Sequence, residues 1–160
     1  MIATRTSKSK QYLGKAGHLL VMSEFLYRGW NVAIPEVDVG DDIFVVKDSA
    51  GTLFKVQVKT GIAKQKGATN YECSYSLKKS QLVEPKEPEI TYVFVVRFGD
   101  EWGPYLIFSR DVLYELFEEN SKASANSISI KIHYKKEIEL WGKDITKYKN
   151  NWENFPIINH

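Results

Sequence analysis

Cysteine is nearly absent from this chain: Cys73 is the only one in 160 residues. That excludes an intramolecular disulfide and any zinc site built on several cysteines. It also makes a reducing cytoplasm the expected location. Long apolar runs are missing as well. None approaches the ~18 residues of a membrane helix, so no membrane partner is expected. The basic N-terminus lacks the apolar core of a signal peptide. His18, His133 and His160 stand far apart, without the close spacing of a histidine zinc site. There is no Gly-rich phosphate loop, no internal repeat and no low-complexity segment. A net charge of +2 is too small to mark a nucleic-acid binder by itself.

Aromatic residues are plentiful, with four Trp, nine Tyr and eight Phe. The length suits one domain, residues 1–160, with a real core. The spacing of Leu13, Ala16, Leu20 and Tyr27 predicts a helix from Ser9 to Tyr27, stopped at Gly29. Asn31 to Ile34 reads as a short strand ended by Pro35. Gly61 to Thr69 reads as a loop and Tyr71 to Ser76 as a strand. Thr91 to Val96 is a continuous apolar run, the pattern of a strand covered on both faces. Tyr105 to Phe108 is another strand, and Arg110 to Glu119 a helix with an apolar stripe. Ser127 to Tyr134 alternates, as an edge or half-buried strand does. The tail from Trp141 onward shows little regularity. This order predicts an α/β domain with a mixed central β-sheet flanked by helices.

The segment from Gly40 to Thr60 carries the chemistry. Ile43 to Val46 and Leu53 to Lys59 read as a hairpin. Along the second strand Phe54, Val56 and Val58 alternate with Lys55, Gln57 and Lys59, so Gln57 and Lys59 share one face. If Ser49 and Ala50 form the tip, Asp42 lies opposite Gln57; if Ala50 and Gly51 do, it lies opposite Lys59. Either loop puts the three side chains on one face, with opposed Cβ atoms about 5 Å apart. A three-residue loop would divide them between faces. An Asp and a Gln oxygen can hold a divalent cation, and a Lys beside them can steady a water or a phosphate. Basic residues are concentrated nearby. Lys8, Lys10 and Lys15 precede the first acidic residue, Glu24, and Lys64 and Lys66 follow the hairpin, so these five are candidate phosphate contacts.

Taken in order, Gly14-Lys15-Ala16-Gly17, Arg28-Gly29-Trp30, Asn31 to Pro35, Asp38-x-Gly40-x-Asp42 and Gln57-Val58-Lys59-Thr60 resemble the PD-(D/E)xK, restriction-endonuclease-like superfamily in its Gln-x-Lys branch. The likeness covers residues 9 to 60 closely. It implies a Mg²⁺- or Mn²⁺-dependent endonuclease acting on DNA, with Asp42, Gln57 and Lys59 as the catalytic set. Asp42, Gln57 and the Val58 carbonyl would be metal ligands. It further implies a homo-oligomer, a dimer or tetramer, and a link to a mobile element or defence locus. The chain departs from the pattern at His18, where relatives often carry a Glu. His18 and Glu24 are therefore candidate accessory residues. Neutral His18 and Gln57 also leave open a catalytically inactive nucleic-acid-binding or interaction module on the same fold.

Overall fold

The structure, a computed structural model, describes residues 7–37, 42–46, 51–120 and 126–155. Asp38 and Gly40 of the motif, and the expected hairpin tip at Ser49 and Ala50, lie outside the described residues. Helix α1 (Ser7–Tyr27) leads into β1 (Asn31–Ala33), β2 (Ile43–Val46) and β3 (Leu53–Ile62). Next come β4 (Lys64–Gln65), β5 (Tyr71–Lys78), the short α2 (Lys79–Val83), β6 (Ile90–Phe98), β7 (Glu101–Ser109) and α3 (Arg110–Asn120). The chain continues through β8 (Ser127–Tyr134), β9 (Ile138–Leu140) and β10 (Lys143–Asp144) to 3₁₀ turns at Thr146–Tyr148 and Trp152–Asn154.

These strands form two five-stranded sheets, ordered β1-β2-β3-β6-β7 and β10-β9-β8-β5-β4. The first is mixed: β3 and β6 run parallel, and its other pairs are antiparallel. Its two faces have different covers. On one, Val21 and Phe25 of α1 pack with Val56, Val58, Val93 and Val95, closed by Phe155 from the tail. On the other, Tyr92, Phe94, Leu106 and Phe108 pack against Tyr75, Leu77, Ile130 and Ile132 of the second sheet and against Leu113 of α3. Continuous burial of Ile90 to Val96 follows from this double cover, as the unbroken apolar run requires. This is the expected α/β architecture, a mixed sheet with helices against it.

The helix expected from Ser9 forms, and Gly29 stops it with φ of 80° in the left-handed region. Its buried face is not the expected one. Gly17, Val21 and Phe25 point inward, spaced by four, whereas Tyr27 is 88% exposed and Leu19 and Leu26 are also exposed. Apolar residues surround this helix on all sides, so periodicity does not single out a face. Close approach does. A Cβ on Gly17 would sit 1.9 Å from Thr60 Oγ1, so only glycine lets the helix press onto β3 here. The expected loop at Gly61 is also corrected: Gly61 and Ile62 continue β3, and Lys64–Gln65 form β4. Gly61 is held in the strand by its fit against Cys73, whose Sγ would lie 2.4 Å from an added Cβ. Ser127–Tyr134 is half-buried as expected, but it lies inside the second sheet between β5 and β9.

Gly17→Ala should lower stability by about 1–3 kcal/mol, the usual cost of overpacking. Urea unfolding checks this: the midpoint should fall while the slope stays constant. An unchanged midpoint would show that the helix does not bear on Thr60.

Candidate active site

The hairpin register decides which residues can meet. Val46 pairs with Leu53 and Ile43 with Val56. One step further, this register directs Asp42 toward Gln57, the arrangement expected for a tip at Ser49 and Ala50. Strand pairing stops there. Asp42 N–H donates to Val56 O, one residue out of register, at 3.0 Å. Its carboxylate then takes the next donor along β3: Val58 N–H donates to Asp42 Oδ2 at 2.7 Å. The side chain thus replaces a backbone partner where β2 has ended. β3 runs on from Gln57 to Ile62 with β6 along one side. Among the described residues no strand pairs with this stretch on the other side. A strand residue directs its N–H and C=O toward the same neighbour. The Val58 carbonyl therefore faces the same open edge as the N–H that holds Asp42.

Helix α1 closes this edge from one face. The contact at Gly17 fixes the helix height, and the next residue, His18, places Nε2 3.3 Å from Asp42 Oδ2. Lys15, one turn earlier, joins them around a cavity of about 350 Å³. Gln11 and Gly14 also line it, with Ile34 and Pro35 as an apolar wall. His18 and Asp42 keep 22% and 14% of their side-chain surface, so both remain reachable from solvent.

Gln57 and Lys59 occupy the opposite parity of β3 from Val56 and Val58, as the alternation requires. Lys59 is half-buried. Gln57 is 4% exposed, and its Oε1 is fully buried without a hydrogen-bond partner. Leaving a buried acceptor unsatisfied costs roughly 1–3 kcal/mol. An uncharged oxygen in this state suits a cation, which would supply the missing interaction. The donor set fits a divalent ion: one carboxylate, one orphaned amide oxygen and one outward backbone carbonyl. Among the described residues no group of three or more His, Cys, Asp or Glu could hold a metal, so such a site has to draw on Gln57 and backbone oxygen. Among the described residues Thr60 Oγ1 is the other buried side-chain polar atom without a partner, and it lies under Gly17.

The remaining candidates separate. Glu24 does not join Asp42; it forms an i,i+4 ion pair with Arg28, whose guanidinium lies 4.6 Å from the Trp152 ring centre. Six residues after His18, and about 120° further around the helix, Glu24 faces the tail instead of the open edge. Lys8, Lys10, Lys15 and Lys64 are exposed. Lys66 is exposed as well but lies 3.8 Å from Glu72, a carboxylate also approached by Lys131 and His133. Burial pushes the Cys73 thiol up to about 11, so it is an inert core group. Sequence reasoning missed the His18–Asp42 contact and the packing of Gly17 on Thr60. Both depend on the helix's buried face, and the Gly-x-x-Gly spacing was its one available marker.

A family model described as PD-(D/E)XK endonuclease matches residues 8–107. No curated protein matches the chain. Among solved structures, one titled as that of a bacterial homing endonuclease, I-Ssp6803I, is similar with a TM-score of 0.57 and 19% sequence identity. The match covers 95% of this chain and 92% of that one, a likeness of fold. The family match spans α1, the open edge of β3 and the strands beneath it, and the chain belongs to the PD-(D/E)XK endonuclease family.

Proposed function

We propose that this chain is a divalent-metal-dependent endonuclease that hydrolyses DNA phosphodiester bonds, of the Gln-x-Lys type, with residues 1–160 as one nuclease domain. The observation that carries this reading is the orphaned, buried Oε1 of Gln57. It stands one residue before the N–H that fixes Asp42 and two before Lys59. Asp42, Gln57 and the Val58 carbonyl would hold Mg²⁺ or Mn²⁺. When bound, such an ion supplies Lewis acidity toward the scissile phosphate. The protein's own part is positioning and charge. The Val58 N–H fixes Asp42 without neutralising it. Lys59 carries three N–H donors and no acceptor when charged, so it steadies the attacking water and offsets the charge that builds on the phosphate. Lys15 at the cavity rim, with Lys8 and Lys10 along the same helix, gives the phosphate backbone a positive approach. One such set cuts one strand, so cleaving a duplex calls for two copies, in a dimer or tetramer.

His18 beside Asp42 and the uncharged Gln57 favour a second reading, a nucleic-acid-binding module that has lost cleavage. Plasmid cleavage with Mg²⁺ or Mn²⁺ separates the two. Lys59→Ala should cut at least about 100-fold more slowly than wild type while keeping fold and DNA affinity, because its work falls in the transition state. Asp42→Asn should lose metal binding together with cleavage. A wild type inert across a broad DNA panel, with both variants binding DNA as it does, would establish the binding module. Equal cleavage by Lys59→Ala would refute its catalytic assignment.

Gln57→Met separates a stability role from a ligand role. It removes the unsatisfied oxygen and keeps the volume, so the unfolding free energy should hold or rise by up to about 1–3 kcal/mol. Metal binding should fall in the same variant. A clear loss of stability would mean that Gln57 is there for packing.

DNA binding should be strongly salt-dependent. Neutralising about 4 phosphates gives a log–log slope near about −3.6. A slope near zero in a fluorescence-anisotropy titration would remove the phosphate track.

A further inference from the structure

A second cavity, of about 400 Å³, opens where the end of β6 meets β7 and the turn between β8 and β9. Its floor is aromatic. The Tyr71 and Phe98 rings lie 5.0 Å apart and the Phe98 and Tyr134 rings 5.3 Å apart, both edge to face. Gly103 makes room for this floor: a Cβ there would sit 2.4 Å from the Phe98 ring and 2.7 Å from Val96. Tyr71 and Phe98 are half-buried, so both keep surface open to the cavity. The rim is basic. Lys135 and Lys136 come from the β8–β9 turn, and Lys149 from the segment after β10. Asn150 fixes that segment, with φ of 51° in the left-handed region. Its N–H donates to Tyr105 O at 2.8 Å, and Tyr105 N–H donates to Asn150 Oδ1 at 2.9 Å. Lys149, one residue earlier, is thereby held beside the cavity. Glu139 answers Lys135 at 2.7 Å. Among the described residues no carboxylate pairs with Lys136 or Lys149, and no acidic side chain lines the cavity.

Unanswered ammonium groups over an aromatic floor call for a ligand with an anionic group and a flat ring. Each ammonium offers three donors and no acceptor, which suits phosphate oxygens. Aromatic side chains stack on any base, because every base has a π-face. The volume is that of a small-molecule site, about 300–1,000 Å³. We propose that this cavity binds a nucleoside phosphate, its base against Tyr71 and Phe98 and its phosphate between Lys136 and Lys149. Val58, at the candidate active site, pairs with Val93. Phe98 lies further along β6 from Val93, roughly 16 Å by the rise of a strand. The site is therefore separate from the proposed metal edge and does not rest on it. Its occupant is a free mononucleotide or an unstacked nucleotide of a single strand, which present the same chemistry.

The test uses the full-length protein in metal-free buffer. Thymidine 5′-monophosphate, titrated by calorimetry, should bind saturably with a Kd of about 1 mM or below. Thymidine and inorganic phosphate should each bind at least about 10-fold more weakly, since each meets only half of the site. Lys136→Ala combined with Lys149→Ala should weaken the monophosphate at least about 10-fold, and circular dichroism checks that this variant is folded. In ¹⁵N-resolved NMR the monophosphate should move the amides of Tyr71, Phe98, Lys136 and Lys149 and leave Gln57 to Lys59 in place. A short thymidine single strand, tested in the same way, identifies the source. Tighter binding at the same amides assigns the site to a strand, and weaker binding assigns it to the free nucleotide. Inorganic phosphate binding as tightly as the monophosphate would reduce the cavity to an anion patch and overturn the proposal. So would no binding, or amide shifts centred on Lys59. None of these outcomes bears on cleavage, so the proposed function stands or falls separately.

Discussion

The candidate site depends on one hydrogen bond, from Val58 N–H to Asp42 Oδ2. Central strands normally satisfy their backbone groups from both sides, and an unpaired buried N–H is costly. β2 stops short of β3, and a carboxylate fills the gap. Filling it holds a negative charge beside the sheet in a fixed place. It also leaves the neighbouring Val58 carbonyl facing an edge that no described strand covers. A longer β2 would close the ladder and remove the site.

Everything around that edge serves to keep it in place. β6 lies parallel to β3 as far as Ile62 and holds it straight. The valines of both strands bury against Val21 and Phe25, and each such fully buried side chain stabilises by about 1.5–3 kcal/mol. The second sheet and α3 load the other face. Between these layers the polar exceptions are few. Arg110 is buried but answered, by Glu89 at 2.7 Å and Leu82 O at 2.9 Å. Gln57 Oε1 is buried and unanswered. Of these two, the satisfied group is structural, and the unsatisfied one shares a face of β3 with Lys59.

Much of this was legible in the sequence for identifiable reasons. The alternation from Leu53 to Lys59 fixed the faces of β3, and the apolar run from Thr91 marked the doubly covered strand. The hairpin register was open because the loop between Val46 and Leu53 admits more than one tip. Its observed setting pairs Ile43 with Val56, but the off-register bond of Asp42 is a local exchange of partners that no pattern announces. The helix face was misread because Tyr27, at helical spacing from Leu13, Ala16 and Leu20, is exposed, while the decisive contact is made by Gly17, which has no side chain to count. Phe155 shows the same limit: it is 2% exposed and closes the α1 core from a tail without periodicity.

The chain belongs to an endonuclease family, and at this edge it carries one carboxylate, held by Val58 N–H, and a buried neutral amide in Gln57. The most direct measurement is a crystal of the protein soaked in Mn²⁺, with anomalous diffraction collected at the manganese edge. One strong peak is expected about 2.1–2.3 Å from a carboxylate oxygen of Asp42 and from Gln57 Oε1, at the edge of β3 beyond β2. A peak elsewhere on the molecule, or none at saturating Mn²⁺ with Gln57 still buried and unpaired, would contradict it.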